Sequence, residues 1–481
     1  MTVLLAEEQP VRTVTVGGRL ARYGEALDLL RVSRTAETPM EDLDEALSRV
    51  LRDKDGSERS RFVDWIEQRQ RDAAPELIVL VRLELELGRE GEALRTCERA
   101  LALDPHDLDA QEIMRELRSR LSAPSAVAGE NLSDLFCPRP FEELEISTTG
   151  ETFCCCRAWL PKSFGNVHRQ SGDEIWNSPT AQEVRRSILD GDFRHCSRLH
   201  CQDIVGRRLP RRDQLADPAH REIVASRSTV MKRRPRWLTL SYDHSCNLSC
   251  PSCRTELVTA RKSEVDRLRA MAEAIVLPLL RDARLVRISG SGDPFGSAHF
   301  RWLMQRIGRA EFPRLRFILQ TNGLLFDEEA WDSFDFDGRI KAVFVSIDAA
   351  DASTYAVLRR GGTFDRLLRN LSFLAGLRAA GRIDRLRLDF VVQAANFREM
   401  PAAIELARVF GCDQMHFQLI RNWGSFTARE YEAQNVASPL HPEHAEFLEV
   451  LRHPSLADPI VDITTGRRLW EYARSDLAQA Q

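Results

Sequence analysis

Cys246, Cys250 and Cys253 stand in a CxxxCxxC spacing within the stretch SCNLSCPSCR at 245–254. Thiolates are soft, polarizable ligands suited to iron–sulfur clusters. A cubane cluster has four irons, and this loop offers three thiolates. One iron is left without a protein ligand and is open to a substrate or cofactor. That arrangement points to a reactive cluster rather than a passive electron carrier. Zinc is the competing reading, but zinc usually draws four ligands from paired short spacings.

The elements around the loop must position it. From 237 to about 420, strand-like runs alternate with helical stretches, the runs lying at 237–242, 285–289, 315–320, 342–347, 386–392 and 414–419. Alternation of this kind implies a parallel sheet with helices outside, because parallel strands need crossovers. In barrels built this way the chemistry sits at the C-terminal strand ends. The cysteine loop follows the first run. Ser291, Gly292 and Asp293 follow the second, Thr321 and Asn322 the third, Ser346 and Asp348 the fourth, and Gln393 and Asn396 the fifth.

The cysteine spacing, with these flanking motifs, resembles the signature of the radical S-adenosylmethionine (SAM) superfamily. The resemblance implies an α/β fold, a partial (β/α)6 barrel. It implies a 4Fe–4S cluster on Cys246, Cys250 and Cys253, whose open iron is chelated by the amino and carboxylate groups of SAM. Electron transfer into SAM would release a 5′-deoxyadenosyl radical that takes hydrogen from a substrate. Ser291, Gly292 and Asp293 look like the family's Gly-Gly-Glu-Pro motif, which binds the methionyl amine. Ser291 replaces the first glycine and Asp293 the glutamate. Thr321 and Asn322 would face the cofactor. Ser346 and Asp348 lie on one face and suit the ribose hydroxyls, with Asp348 as a helix cap the alternative. Gln393 and Asn396 resemble the family's polar patch near SAM. Arg359 and Arg360 either hold an anion or are solvated, and at least one is expected in solvent. Ser252 departs from the family, since an aromatic residue usually precedes the last cysteine. Cys412 is read as a small core residue rather than a hydrogen-atom donor.

A second cysteine set lies upstream. Cys137, Gly150, the triplet Cys154, Cys155 and Cys156, the pair Gly165 and Asn166, the run IWNSP at 175–179, and Cys196 and Cys201 follow in order. This resembles the SPASM/twitch module, which normally follows the barrel and here precedes it. The resemblance implies an auxiliary 4Fe–4S cluster held by Cys137, Cys155, Cys196 and Cys201. Cys155 is chosen because it falls at the hairpin-glycine spacing, and Cys154 or Cys156 takes its place otherwise. A zinc knuckle is the alternative.

At 481 residues, 43% of them hydrophobic, the chain is long enough for several domains. Residues 1–122 read as helical, and Gly88, Ala93, Ala100 and Pro105 fall at tetratricopeptide positions, with Cys97 in the core. The expected order is this helical-repeat domain, the cysteine-rich α+β module at 131–205, the barrel at 236–420, and a partly helical extension at 421–481. A net charge of −4 gives no basic field for nucleic acid. Neither a membrane span nor a signal peptide is expected, and a cytoplasmic location follows. Ten of the eleven cysteines fall at Cys137 or later, which favours metal over disulfides. The expected function is radical oxidation, cross-linking or epimerisation of a peptide or protein, an oxidoreductase-type chemistry. Its partners would be SAM, a polypeptide held by the helical domain, and an electron donor such as flavodoxin or ferredoxin. Modification of a sugar, aminoglycoside or nucleotide-sugar is a second reading, and an iron–sulfur scaffold or sensor a third.

Overall fold

The computed structural model describes residues 131–479, apart from 158, 199, 200, 289, 290, 423, 424, 440, 464 and 465, together with isolated positions between 81 and 114. The chain divides into two compact units, Met1–Gly129 and Glu130–Gln481. In the first, Ala93, Cys97 and Ala100 are helical and fully buried, as core positions should be. The other positions of the tetratricopeptide-like reading, Gly88 and Pro105, lie outside the described residues.

The second unit is organised by one ten-stranded sheet. Its central strands are β4 (Trp237–Leu240), β5 (Leu285–Ile288), β6 (Arg316–Thr321), β7 (Ile340–Ser346), β8 (Leu386–Val392) and β9 (Gln414–Leu419). They are parallel and adjacent in chain order. The six strand-like runs of the sequence are these six strands, with ends shifted by one or two residues. Helices carry the crossovers, among them Lys262–Met271, Ala298–Arg306, Phe364–Ala379 and Met400–Val409.

The sequence pattern explains the layering. On β4 and β5 burial strictly alternates. Leu238, Leu240, Val286 and Ile288 are fully buried in the main core, whereas Trp237, Thr239 and Arg287 on the other face are half-buried. Leu367, Leu371 and Leu374 recur at helical spacing on Phe364–Ala379 and join the same core. Each such leucine contributes roughly 1.5–3 kcal/mol by burial.

The upstream module is built into the same sheet. Its strands are β1 (Glu143–Ile146), β2 (Glu151–Phe153) and β3 (Gly165–Asn166). β1 and β2 form a hairpin whose turn needs Gly150, held at φ +77°. β1 also pairs in parallel with β4, from Glu143 beside Trp237 to Ile146 beside Leu240. The module and the six parallel strands therefore share a sheet. At the far edge β10 (Val461–Asp462) pairs with β9, so the C-terminal extension supplies a strand as well as helices.

The run at 175–179 is an architectural clamp. Ile175 and Trp176 are buried, and the Trp176 indole donates to the Arg233 carbonyl at 2.9 Å. The Asn177 amide both donates to and accepts from the Met231 backbone. Ser178 caps the helix Pro179–Asp190, whose first position is the proline. Within that helix Arg185 is fully buried, 4.4 Å from the Trp176 ring centroid. It donates to the carbonyls of Pro140, Trp176 and Thr229. These contacts fix the segment that leads into β4. The basic stretch after 205 joins this packing, since Arg212 donates to the carbonyls of Leu135, Ile188 and Leu189.

Arg185→Leu would leave three buried carbonyls without donors, at about 1–3 kcal/mol each. A clear fall in the thermal unfolding midpoint is expected, whereas an unchanged midpoint would remove the clamp from this account.

Candidate iron–sulfur and cofactor site

The cysteine loop leaves the C-terminal end of β4. Cys246 and Cys253 are partly or fully exposed and Cys250 is buried. Each sulfur has a nitrogen donor near it. The Leu248 amide lies 3.4 Å from Cys246 Sγ, and Asn322 Nδ2 lies 3.8 Å away. Arg254 Nη2 is 3.4 Å from Cys253 Sγ, and Arg359 Nη1 is 3.9 Å from Cys250 Sγ. Burial, with the nearby Asp293 carboxylate, pushes the Cys246 thiol up to about 11. Such a thiol ionises only when a cation pays for the charge, and the flanking donors suit sulfur ligands of a cluster.

Asp293 lies at the centre of the loop assembly. It is 1% exposed. One carboxylate oxygen accepts from Thr321 Oγ1 at 2.7 Å and from the Asn322 amide at 2.8 Å. The other accepts from the amides of Phe295 and Gly296. Its own amide donates to the Ser245 carbonyl in the cysteine loop. Burial raises the carboxyl pKa and these hydrogen bonds lower it. The carboxylate expected at a methionyl amine thus acts as a brace between the loops after β5 and β6. Gly292 has a related task, for a Cβ there would lie 2.4 Å from the Ser245 carbonyl oxygen. It is the cysteine loop that approaches this glycine. Ser291 is half-buried, and its carbonyl accepts from Arg254.

The loop after β6 reaches back to the cysteines, with Asn322 Nδ2 donating to Asn247 Oδ1 at 2.8 Å. After β7, Asp348 is 2% exposed at φ +53° and pairs with Arg359 at 2.8 Å. Its other oxygen accepts from the Val391 amide. Asp348 is not a helix cap, because Asp351 caps Ala352–Leu358. Burial works against the Arg359 charge, but Asp348 and Cys250 outweigh it and its pKa is raised. Arg359 is therefore interior, while the exposed Arg360 bonds Ser249 and the Thr255 carbonyl and so braces the cysteine loop. After β8, the Asn396 side chain bonds the Asp348 carbonyl and the Gln393 amide. Gln393 Nε2 and Arg359 Nε are buried without partners, which suits a polar ligand against these loops. Ser346 is half-buried beside Asp389 across β7 and β8. Cys412 is buried just before β9, at the end of the sheet opposite these loops.

The second cysteine set forms a separate group. Cys137 is raised well above an ordinary thiol by burial, with Cys196 and Cys155 adding to the shift. Cys155 is pushed up to about 12 by burial, with Cys201 also acting on it. Cys196 reaches about 12 for the same reason, with Cys201 and Cys155 contributing. Cys154 and Cys155 both interact with Cys137 and Cys196, and Cys155 is the one also coupled to Cys201. Cys154 is 2% exposed within the main core, and Cys156 is exposed. This crowd of raised thiols fits a metal cluster that would stabilise them as thiolates.

Sequence reasoning did not single out Asn247, Asp243 or Arg254. The signal was proximity alone: each flanks the cysteine spacing. Asp243 accepts from the Ser245 amide and from Ser297, tying the loop to the start of the helix Ala298–Arg306.

Residues 137–202 match the SPASM family, an iron-sulfur cluster-binding domain. A PqqA peptide cyclase from Gluconobacter oxydans is 28% identical over 196 residues, which is 40% of this chain and 51% of that protein. The chain thus spans about half the length of this curated relative. SuiB from Streptococcus suis aligns over 69% of this chain and 71% of its own at 13% identity and a TM-score of 0.34. The anSMEcpe structure with bound AdoMet aligns over 39% and 50% at 18% identity and a TM-score of 0.29. The matched domain supports an iron–sulfur cluster-binding module over residues 137–202. No described helix is long and apolar enough to cross a membrane.

Two substitutions test this geometry. Asp293→Asn would turn an amide NH2 toward the Thr321 hydroxyl or the backbone amides, so lower thermal stability and reduced iron loading are expected, and wild-type values for both would refute the brace. In an alanine scan of the triplet, Cys155→Ala should cost roughly half the bound iron, while Cys154→Ala and Cys156→Ala keep it. Loss in a different member would move the ligand there.

Proposed function

We propose that this chain is a radical SAM enzyme that modifies a peptide or protein. The observation that carries the reading is the convergence of the three-cysteine loop with polar loops from four further parallel strands. These loops interlock through Asp293, Asn322, Asp348 and Asn396. Cys246, Cys250 and Cys253 would hold a 4Fe–4S cluster with one open iron. Bound there, the cluster and SAM would supply radical chemistry able to remove a hydrogen atom from substrate.

The chain's residues do the positioning. Gln393 and Ser346 are the side chains we assign to the cofactor, with Thr321 and Asn322 supporting them. Ser291, Gly292 and Asp293 shape the wall that the cofactor lies against. Arg359, held by Asp348, presents fixed positive charge beside Cys250. Cys137, Cys155, Cys196 and Cys201 would saturate an auxiliary 4Fe–4S cluster, which suits electron acceptance rather than substrate binding. With an electron removed the outcome is oxidation or cross-linking. A flavodoxin- or ferredoxin-type protein would deliver the initiating electron. The resemblance to a peptide cyclase over part of the chain supports a polypeptide substrate, and the N-terminal helical unit is a candidate for holding it.

Anaerobically reconstituted protein should carry roughly seven to eight irons per chain. With SAM and dithionite it should release 5′-deoxyadenosine, and Cys250→Ala should abolish that release. An intact cluster without any release would sink the enzyme reading.

A further inference from the structure

The face of the sheet opposite the helices is lined with charge. Glu143 and Glu145 on β1, Arg287 on β5, and Arg387 and Asp389 on β8 all alternate away from the apolar core. Register places Glu145, Thr239 and Arg287 side by side across β1, β4 and β5. Phe344 on β7 lies between two guanidinium groups, with Arg387 at 3.5 Å and Arg287 at 5.6 Å from its ring centroid.

These charges are not equivalent. Arg387 pairs with Asp389 at 2.7 Å. Glu143 lies 3.6 Å from Arg139. Glu145 is hydrogen-bonded by Ser241. Arg287 stacks against Trp237 at 5.4 Å and Phe344, and Glu143, Asp389, Glu145 and Arg387 act on it from beyond ion-pair distance. Among the described residues no carboxylate lies within ion-pair distance of it, and its buried Nε has no hydrogen-bond partner. A buried guanidinium N–H without an acceptor is costly, and a bound anion would supply one. The aromatic rings offset only part of that cost.

The surroundings select the anion. A guanidinium fork matches the two coplanar oxygens of a carboxylate. The field from Glu143 and Glu145 penalises a second negative charge, so a phosphate near −2 is disfavoured against a monoanion. We propose that Arg287 anchors a carboxylate of the substrate, from an acidic side chain or a chain terminus, inside the sheet's charged face. This deepens the reading above: it rests on the proposed peptide or protein substrate and adds that this substrate enters at the sheet's charged face.

The test is binding, measured by saturation-transfer NMR on the reconstituted full chain with SAM. The probes are N-acetylglutamate N-methylamide for the side-chain source, N-acetylglycylglycine for the terminal source, N-acetylglutamine N-methylamide as the neutral isostere, and methyl phosphate. At least one carboxylate should bind, and whichever binds more tightly names the source. The glutamine probe and methyl phosphate should bind at least about tenfold more weakly. Arg287→Gln should weaken carboxylate binding by a similar factor and Arg287→Lys by less, with folding checked by circular dichroism. Glu145→Gln should strengthen it. Equal binding of the neutral isostere, tighter binding of methyl phosphate, or unaltered carboxylate binding in Arg287→Gln overturns the proposal. Release of 5′-deoxyadenosine is scored separately, so carboxylate binding without release would fault the enzyme reading and not this site.

Discussion

The buried carboxylate of Asp293 is the constraint on which the cofactor site depends. Loops at the ends of parallel strands carry unsatisfied backbone amides, and nothing in the sheet itself holds one loop against the next. Asp293 collects donors from its own turn and from the loop after β6, while its amide reaches the cysteine loop. Charge-assisted hydrogen bonds are worth more than neutral ones, and burial strengthens them further. Asn396 and Asp348 repeat the device between β7 and β8. Cysteine spacing is thereby turned into a fixed arrangement before any metal arrives.

The second constraint is the pairing of β1 with β4. A module that precedes the six parallel strands in the chain meets them at the first, β4, and four register pairs make it one sheet. β4 therefore has neighbours on both sides. The segment between the module and β4 runs under the clamp of Trp176, Asn177 and Arg185, so the order of the two parts becomes a fixed geometry rather than a flexible tether.

Much of this was legible in the sequence because periodicity and spacing are local. The six parallel strands are short apolar runs bounded by helices, and each motif sits where its strand ends. Roles that depend on three-dimensional neighbours were less legible. Asp293 and Gly292 read as ligand contacts, yet their partners are Thr321, Asn322 and Ser245, distant in sequence. Asp348 was weighed as a cap or a ribose ligand, and it is an ion-pair partner of Arg359. Arg359 and Arg360 are adjacent and chemically identical, but only the structure tells the interior one from the exposed one. In the SPASM segment the run at 175–179 is diagnostic because each residue packs, bonds or caps, not because it touches a metal.

The two faces of the sheet express the same physics in opposite directions. The helix-facing side excludes water with leucine, valine and isoleucine, and its energy comes from area. The other side keeps Arg287, Arg387 and Asp389 near Phe344, where each charge must be balanced individually. A hydrophobic sequence would be the cheaper filling if stability alone were at issue, since buried ion pairs are often no better than apolar residues of similar volume. Charges held on an inner face are instead a means of discriminating among ligands, because a wrong group leaves a buried partner unpaired. For the proposed radical enzyme such discrimination would matter particularly, because a hydrogen-abstracting species attacks whichever C–H bond is nearest. Fixing the substrate by a charge on the sheet would then control which bond is presented, and the specificity of the reaction would become a matter of position rather than of bond strength.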